Sequence, residues 1–177
     1  MEAIVYSSAS GHTARYAKML SEMTGIPAVE IRRCRRKLWR GDDIIFMGWV
    51  MAGIVDNYMK MYDHYNVRVL CPVGLMPPGE KIDKLLHDRN IIPDDVAMFY
   101  LRGGFDMKKQ RGLKKLMAKS YRISMEMDFE DNETPESGEM FDLMTNGADF
   151  VDAANLAPVV EKIRELQNSE ENQLTTP

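Results

Sequence analysis

The segment Ser7–Thr13 follows the first apolar run of the chain and consists almost entirely of small and hydroxyl-bearing residues. A helix pattern begins directly after it. The N-terminus of a helix offers unpaired N–H groups and the positive end of the helix dipole, and both favour a bound phosphate. Hydroxyl groups add further donors, and Gly11 lets the backbone come close to a ligand. The segment therefore predicts a phosphate site, with helix capping by the same hydroxyls as the alternative.

Other phosphate-binding and nucleophilic sites are excluded by the residues present. The segment holds neither G-x-x-x-x-G-K-[ST] nor G-x-G-x-x-G, so it is neither a P-loop nor a dinucleotide fingerprint. It has no cysteine for a phosphatase nucleophile, and no paired aspartates end the strand before it. Elsewhere, Cys34 and Cys71 have no further Cys or His at ligand spacing. Neither a metal site nor a disulfide is therefore predicted.

Short apolar runs alternate with amphipathic periods along the chain, a pattern that predicts βαβ units. We predict strands at 3–6, 27–31, 43–50, 67–75 and 96–101. We predict helices from the hydroxyl-rich segment to Gly25, at 52–65, at 78–90 and at 155–166. The basic piece that begins at Arg32 is predicted to form one or two helical turns with a solvated face.

These elements predict an α/β fold, a doubly wound five-stranded parallel sheet of order 2-1-3-4-5 with helices on both faces. In such a sheet a ligand binds beyond the carboxyl ends of the strands, where the strand order reverses. The loops after Tyr6 and Met47 lie at that point. One domain is predicted over 1–167, with an insert at about 103–154 after the fifth strand and a disordered tail at 168–177.

Three segments resemble a known family. The sequence SASGHT at 8–13 resembles the [ST]-x-[ST]-G-x-T loop with which flavodoxins wrap the FMN phosphate without a lysine. The sequences MGWVMAG at 47–53 and LRGGFDMKKQRGLKKLM at 101–117 resemble a flavodoxin-like branch related to menaquinone-dependent protoporphyrinogen dehydrogenase. The resemblance covers most of residues 1–166.

The resemblance implies FMN as the cofactor and a role in redox chemistry, as an electron carrier or as a small flavin-dependent oxidoreductase. It implies that the phosphate is held by Ser8, Ala9, Ser10, Gly11, His12 and Thr13. It assigns the flavin ring to a second loop, formed by Trp49, Val50, Met51, Ala52 and Gly53, and to Gly74 and Leu75 of a third. For Trp49, core packing is the alternative to stacking on the ring. The third loop departs from the family, because Leu75, Met76 and two prolines stand where flavodoxins often carry a tyrosine and acids.

The insert contains a basic amphipathic segment at 102–122, followed by acidic residues up to Glu139. The partners that the resemblance implies are a redox partner protein or a quinone-like acceptor. The basic segment could also contact a membrane surface peripherally. Two alternatives stay open: the segment is a solvated helix at the sheet edge, or the chain is a non-redox module that kept the fold and binds a partner through the insert.

The composition is that of a globular domain without a strong charge preference. Of the 177 residues, 23 are Lys or Arg and 27 are Asp or Glu, which gives a net charge of −4 and favours no nucleic-acid partner. No apolar stretch approaches the roughly 20 residues that a spanning helix needs. The N-terminus lacks a basic start and a cleavage pattern, so no signal peptide is predicted and a cytoplasmic location is expected.

Overall fold

A computed structural model of the chain describes residues 1–106, 108–109, 119–120 and 135–174. Most of the basic segment 102–122 and much of the acidic stretch after it therefore lie outside the described residues. The described strands are β1 (Ala3–Ser7), β2 (Ala28–Glu30), β3 (Asp43–Met51), β4 (Ile54–Val55), β5 (Asn66–Gly74), β6 (Ala97–Met98), β7 (Leu101–Arg102), β8 (Gly104–Phe105) and β9 (Ala148–Asp149). The described helices are α1 (His12–Thr24), α2 (Ile31–Cys34), α3 (Tyr58–Tyr62), α4 (Glu80–Asn90), α5 (Pro135–Asn146) and α6 (Ala157–Leu174), with a 3₁₀ turn at Ala153–Leu156 before α6.

The central sheet is mostly parallel, and its strands lie in the order β2-β1-β3-β5-β6. Strand β7 pairs with β5 in parallel, and β4 turns back antiparallel on β3. Strands β8 and β9 form a separate antiparallel ribbon. The long strands β3 and β5 consist largely of buried apolar residues, as expected when both faces of a parallel sheet are covered. The predicted α/β fold with a mostly parallel sheet is confirmed.

Two hydrophobic cores lie on the two faces of this sheet. Val5 of β1 faces a core that includes Leu86 of α4, whereas Ile4 faces a core that includes Leu20 of α1 and Ile163 of α6. This division follows from the alternation of side chains along a strand. The two free cysteines are buried in opposite cores.

The prediction of one helix over 52–65 is wrong. Strand β3 ends in a two-residue turn at Ala52 and Gly53, whose φ angles of 51° and 77° are both positive, and the chain returns as β4. Two consecutive positive φ angles form the tight turn that suits a β-hairpin. Only α3 is helical in this region. The helix was predicted from the spacing of Ile54, Tyr58, Met61 and Tyr65. The last three residues do face one core, from α3 and the residues just after it, whereas Ile54 is exposed on the hairpin.

Two other boundaries differ from the prediction. Helix α6 continues to Leu174, so residues 168–174, predicted as a disordered tail, are helical. The fifth strand is divided into β6 and β7, with Phe99 and Tyr100 between them. Within the described ranges, no helix is long and apolar enough to cross a membrane.

Candidate functional site

The loop from Ser8 to Gly11 leaves the carboxyl end of β1 and leads into the thirteen-residue helix α1. Strand β1 lies between β2 and β3, so the loop stands where the strand order reverses. Gly11 adopts φ 101°, a left-handed conformation that favours glycine, and a Cβ placed on it would have no non-neighbouring atom within 4 Å. The surface in front of the helix N-terminus is therefore open at Gly11.

Ser8 fixes the shape of this loop. Its Oγ accepts hydrogen bonds from the backbone N–H groups of Gly11, at 3.1 Å, and Ala14, at 3.4 Å. A hydroxyl oxygen thus occupies two of the donors that a helix N-terminus offers. This contact is the capping role that the sequence left as an alternative to phosphate binding.

His12 is held between Ser10 and the ribbon β8–β9. Its Nδ1 lies 2.8 Å from Ser10 Oγ, and its Nε2 lies 4.0 Å from an Asp149 carboxylate oxygen. Asp149 is also bonded to the guanidinium of Arg15. Burial lowers the pKa of His12, although the carboxylate of Asp149 acts in the opposite direction. The pKa of Asp149 is lowered as well: burial acts to raise it, but the hydrogen bond and charge of Arg15 outweigh that effect.

Ser10, His12 and Asp149 have the residue types of a hydrolytic triad but not its geometry. The distance of 4.0 Å between His12 and Asp149 is longer than a hydrogen bond, and the carboxylate is already engaged by Arg15. The cluster therefore serves to hold the loop rather than to activate Ser10 as a nucleophile.

The β8–β9 ribbon contacts the start of α1 at Gly104. A Cβ placed on Gly104 would lie 2.6 Å from His12 Nε2 and 2.2 Å from the carbonyl oxygen of Ala148. Gly103 is similarly close to the side chain of Val73. Glycine is thus required where β8 approaches α1. The ends of the insert, at β8 and β9, are therefore packed directly against the predicted phosphate site.

The predicted second loop is the β3–β4 hairpin. Trp49 lies beside Val73 of β5 at the carboxyl edge of the sheet, one residue beyond Gly48, which pairs with Ser7. Val50 and Met51 continue the strand and pair with β4, and Ala52 and Gly53 form the turn. Trp49 is thus brought near the Ser8–Thr13 loop.

The tip of the hairpin packs on α4. A Cβ placed on Gly53 would lie 2.9 Å from Leu85 Cγ. Asn90, only 3% exposed, donates to the Gly53 carbonyl at 2.8 Å and accepts the Val55 N–H at 2.8 Å. Gly53 of this turn therefore lies against α4 rather than beside the Ser8–Thr13 loop.

The predicted third loop begins inside the sheet. Gly74 is the last residue of β5 and pairs with Arg102 of β7. The guanidinium of Arg102 donates to the Leu75 carbonyl at 3.4 Å and lies 3.8 Å from the centre of the Phe150 ring. Gly74 also leaves room for Tyr100, whose hydroxyl oxygen would lie 2.6 Å from a Cβ at that position.

The sequence did not predict two groups of hydrogen bonds at this edge, one around Asp56 and one around Tyr16. The Ser7 hydroxyl donates to the carboxylate of Asp56, which also accepts from the Asn57 side chain. The Tyr16 hydroxyl donates to the Arg102 carbonyl at 2.7 Å and accepts from Asn155 at 2.8 Å. Nothing in the local sequence identified them, because each joins residues that are far apart in the chain.

The residues brought together at the carboxyl edge are the Ser8–Thr13 loop, Trp49, Gly74 and Leu75. No group of three or more His, Cys, Asp or Glu side chains in the described part of the chain could hold a metal ion. The arrangement offers amides, hydroxyls and a helix N-terminus, which suit an anionic group. No protein-family model matches the chain, and no curated protein is significantly similar to it.

Proposed function

We propose that the chain is a flavodoxin-like, FMN-binding redox protein, an electron carrier or a small flavin-dependent oxidoreductase. The observation that carries this proposal is the loop of Ser8–Thr13. It is rich in hydroxyls, it is open at the left-handed Gly11, and it begins a helix of thirteen residues at the carboxyl edge of the sheet. Such a helix N-terminus favours a phosphate group through its N–H groups and its dipole.

The sheet supports the proposal by its strand order. When the antiparallel β4 is left out and β6 and β7 are counted as one broken strand, the order β2-β1-β3-β5-β6 becomes 2-1-3-4-5. That is the order of flavodoxin-like sheets, in which the ligand lies where the order reverses. The flavodoxin-like assignment is part of the proposal.

The chain's own residues fit the phosphate better than they fit the ring. In the proposed complex, the hydroxyl of Ser10 and the amides of the loop donate to the phosphate, and Ser8 keeps its bond to Ala14 so that the loop retains its shape. In the same proposal, Trp49 and Leu75 would contact the flavin ring. Bound FMN would supply one- and two-electron transfer by its ring.

The proposed partners are a redox partner protein or a quinone-like acceptor in the cytoplasm, with a peripheral membrane contact through the basic segment 102–122. The ends of the insert lie beside the candidate site, because β8 and β9 contact His12 and Arg15. This placement supports a role of the insert in selecting the partner that exchanges electrons with the flavin.

The experiment compares FMN with riboflavin, which has the same ring but no phosphate. We expect the purified protein to bind FMN at least tenfold more tightly than riboflavin in a fluorescence titration. Ser10→Asp places a negative charge in the loop and should reduce FMN affinity tenfold or more while leaving riboflavin affinity unchanged. Ser169→Asp, in the distant part of α6, is the matched control for the added charge and should change neither affinity.

A non-redox interaction module is the alternative function. Failure of the folded wild-type protein to bind either flavin would contradict the FMN proposal and favour the module. Equal loss of both affinities in Ser10→Asp, with an unchanged circular dichroism spectrum, would show that the loop does not bind the phosphate.

A further inference from the structure

The connection between β2 and β3 exposes a dense group of cations around one tryptophan. We call this group the Arg–Trp patch; its members are Arg32, Arg33, Arg35, Arg36, Lys37, Trp39 and Arg40. All seven side chains are exposed. Trp39 is 83% exposed, more than any other large apolar residue in the described part of the chain.

The charges of the patch are largely unneutralised. Arg32 lies 3.7 Å from Glu30, and the guanidinium of Arg40 donates to the backbone carbonyl of Asp63. Among the described residues, no carboxylate forms an ion pair with Arg33, Arg35, Arg36 or Lys37. The patch is therefore strongly positive on a chain whose net charge is −4.

The backbone holds Trp39 away from the core. Cys34, only 1% exposed, anchors the segment, and its carbonyl accepts the N–H groups of Lys37 and Leu38 at 2.9 Å. The Trp39 N–H donates to the carboxylate of Asp42 at 2.8 Å, and the Gly41 N–H donates to the His64 carbonyl at 2.9 Å. The loop that carries the exposed indole is thus held by these hydrogen bonds and by the buried Cys34.

We infer that the Arg–Trp patch docks the protein onto an anionic lipid surface. Clusters of four to eight Lys and Arg residues are attracted to anionic headgroups, and tryptophan is favoured at the boundary between headgroups and acyl chains. Tyr62, 40% exposed, is the last residue of α3, lines the same cavity as Arg40 and adds a second aromatic ring. The patch supplies both the charge and the interfacial side chains that such docking needs.

A nucleic acid is the less suitable anion for this surface. Single strands are bound in basic grooves that follow the backbone over several nucleotides. Here the cations lie on a short helix and a bend, and the neighbouring cavity of about 350 Å³ is lined by Asp63 and Asp95 as well as Arg40. Those carboxylates would repel phosphates inside the cavity, whereas a bilayer surface would not enter it.

The inference does not depend on flavin binding. Trp39 and Arg40 lie beside the starts of β3 and β5, at the edge of the sheet opposite to the Ser8–Thr13 loop. The patch is also distinct from the basic segment 102–122 of the insert. Docking through the patch would leave the candidate site accessible.

The test is co-sedimentation of the whole protein with vesicles of phosphatidylcholine, with or without about one third phosphatidylglycerol. We expect binding only to the anionic vesicles, and loss of that binding when the salt concentration rises to about 0.5 M. The triple variant Arg33→Gln, Arg36→Gln, Lys37→Gln should bind these vesicles at least tenfold more weakly than the wild type. The matched control, Lys18→Gln, Lys84→Gln, Arg164→Gln, removes the same charge from exposed positions of α1, α4 and α6 and should bind like the wild type.

Tryptophan fluorescence gives a second readout. Since Trp39 is exposed and Trp49 is partly buried, anionic vesicles should shift the emission to the blue through Trp39. Trp39→Phe should abolish the shift. The inference is overturned by absence of binding to anionic vesicles, by a triple patch variant that is folded and binds normally, by an equal loss in the control variant, or by binding to a single-stranded oligonucleotide but not to vesicles.

Discussion

His12 is enclosed by groups that mostly oppose its protonation. Burial is the main cause of its lowered pKa, and the cations Arg15 and Lys109 act in the same direction. The carboxylates of Asp149 and Asp106 act in the opposite direction but do not compensate. The imidazole is therefore neutral in the folded chain over a wider pH range than in the unfolded one.

This lowered pKa predicts a pH-dependent stability. The unfolded chain binds a proton at His12 near the ordinary pKa of 6.5, while the folded chain resists it. The free energy of unfolding should be greatest above pH 6.5 and decrease as the pH falls below that value. Urea unfolding at pH 7.5 and 5.5 measures this decrease, which should be smaller in His12→Gln. An identical decrease in both proteins would assign it to other groups.

A second residue-scale prediction concerns Asp56, whose carboxylate is bonded to Ser7 directly before the phosphate loop. A fixed negative charge there opposes the binding of an anion. Asp56→Asn keeps the acceptor for Ser7 and should increase FMN affinity about threefold or more without changing riboflavin affinity. Asp63→Asn, at the opposite edge of the sheet, is the control. An equal gain in Asp63→Asn would indicate only the change in net charge.

Among the elements, the β3–β4 hairpin depends on a single buried amide. Asn90 joins the tip of the hairpin to α4 by accepting from Val55 and donating to Gly53 and Leu86. Asn90→Ala would leave a buried N–H and two carbonyls with lost bonds, each costing about 1–3 kcal/mol. We expect the free energy of unfolding, measured by chemical denaturation, to decrease by about 2–4 kcal/mol. Asn168→Ala, on the exposed face of α6, should cost less than about 0.5 kcal/mol.

The same region shows where sequence patterns are sufficient to predict the secondary structure and where they are not. Strands β1, β3 and β5 were predictable as short apolar runs, and helix α1 because its apolar residues follow one helical period. The turn at Ala52 was not, since alanine rarely adopts a positive φ and the turn is held by Asn90 from another element. The period of Ile54, Tyr58, Met61 and Tyr65 therefore indicated a helix that does not form.

The candidate site likewise has one part that the sequence predicts and one part that it does not. The Ser8–Thr13 loop was predictable because a strand, hydroxyl residues and a helix pattern follow each other within one short stretch. The contacts of His12 with Gly104 and Asp149 were not, because they join α1 to two segments that follow far along the chain. Helix α6 was underestimated because its apolar stripe ends at Leu166 while the helix continues to Leu174.

On the scale of the whole molecule, two cores share one sheet. Leu20 and Leu86 are fully buried in opposite cores. Because both cores rest on β1, β3 and β5, we expect a single cooperative transition, with Leu20→Ala and Leu86→Ala each costing about 2–5 kcal/mol. The double variant should lose roughly the sum of the two costs. Different midpoints by circular dichroism and fluorescence would show instead that the two faces unfold separately.

The ribbon of β8 and β9 joins the two ends of the insert beside α1, with Gly104 opposite Asp149 and Phe105 opposite Ala148. Everything between these paired ends departs from one point of the scaffold and returns to it. The intervening stretch can therefore be exchanged for a longer or shorter one without altering the register of any sheet strand. A designer could graft a new recognition module at the same junction.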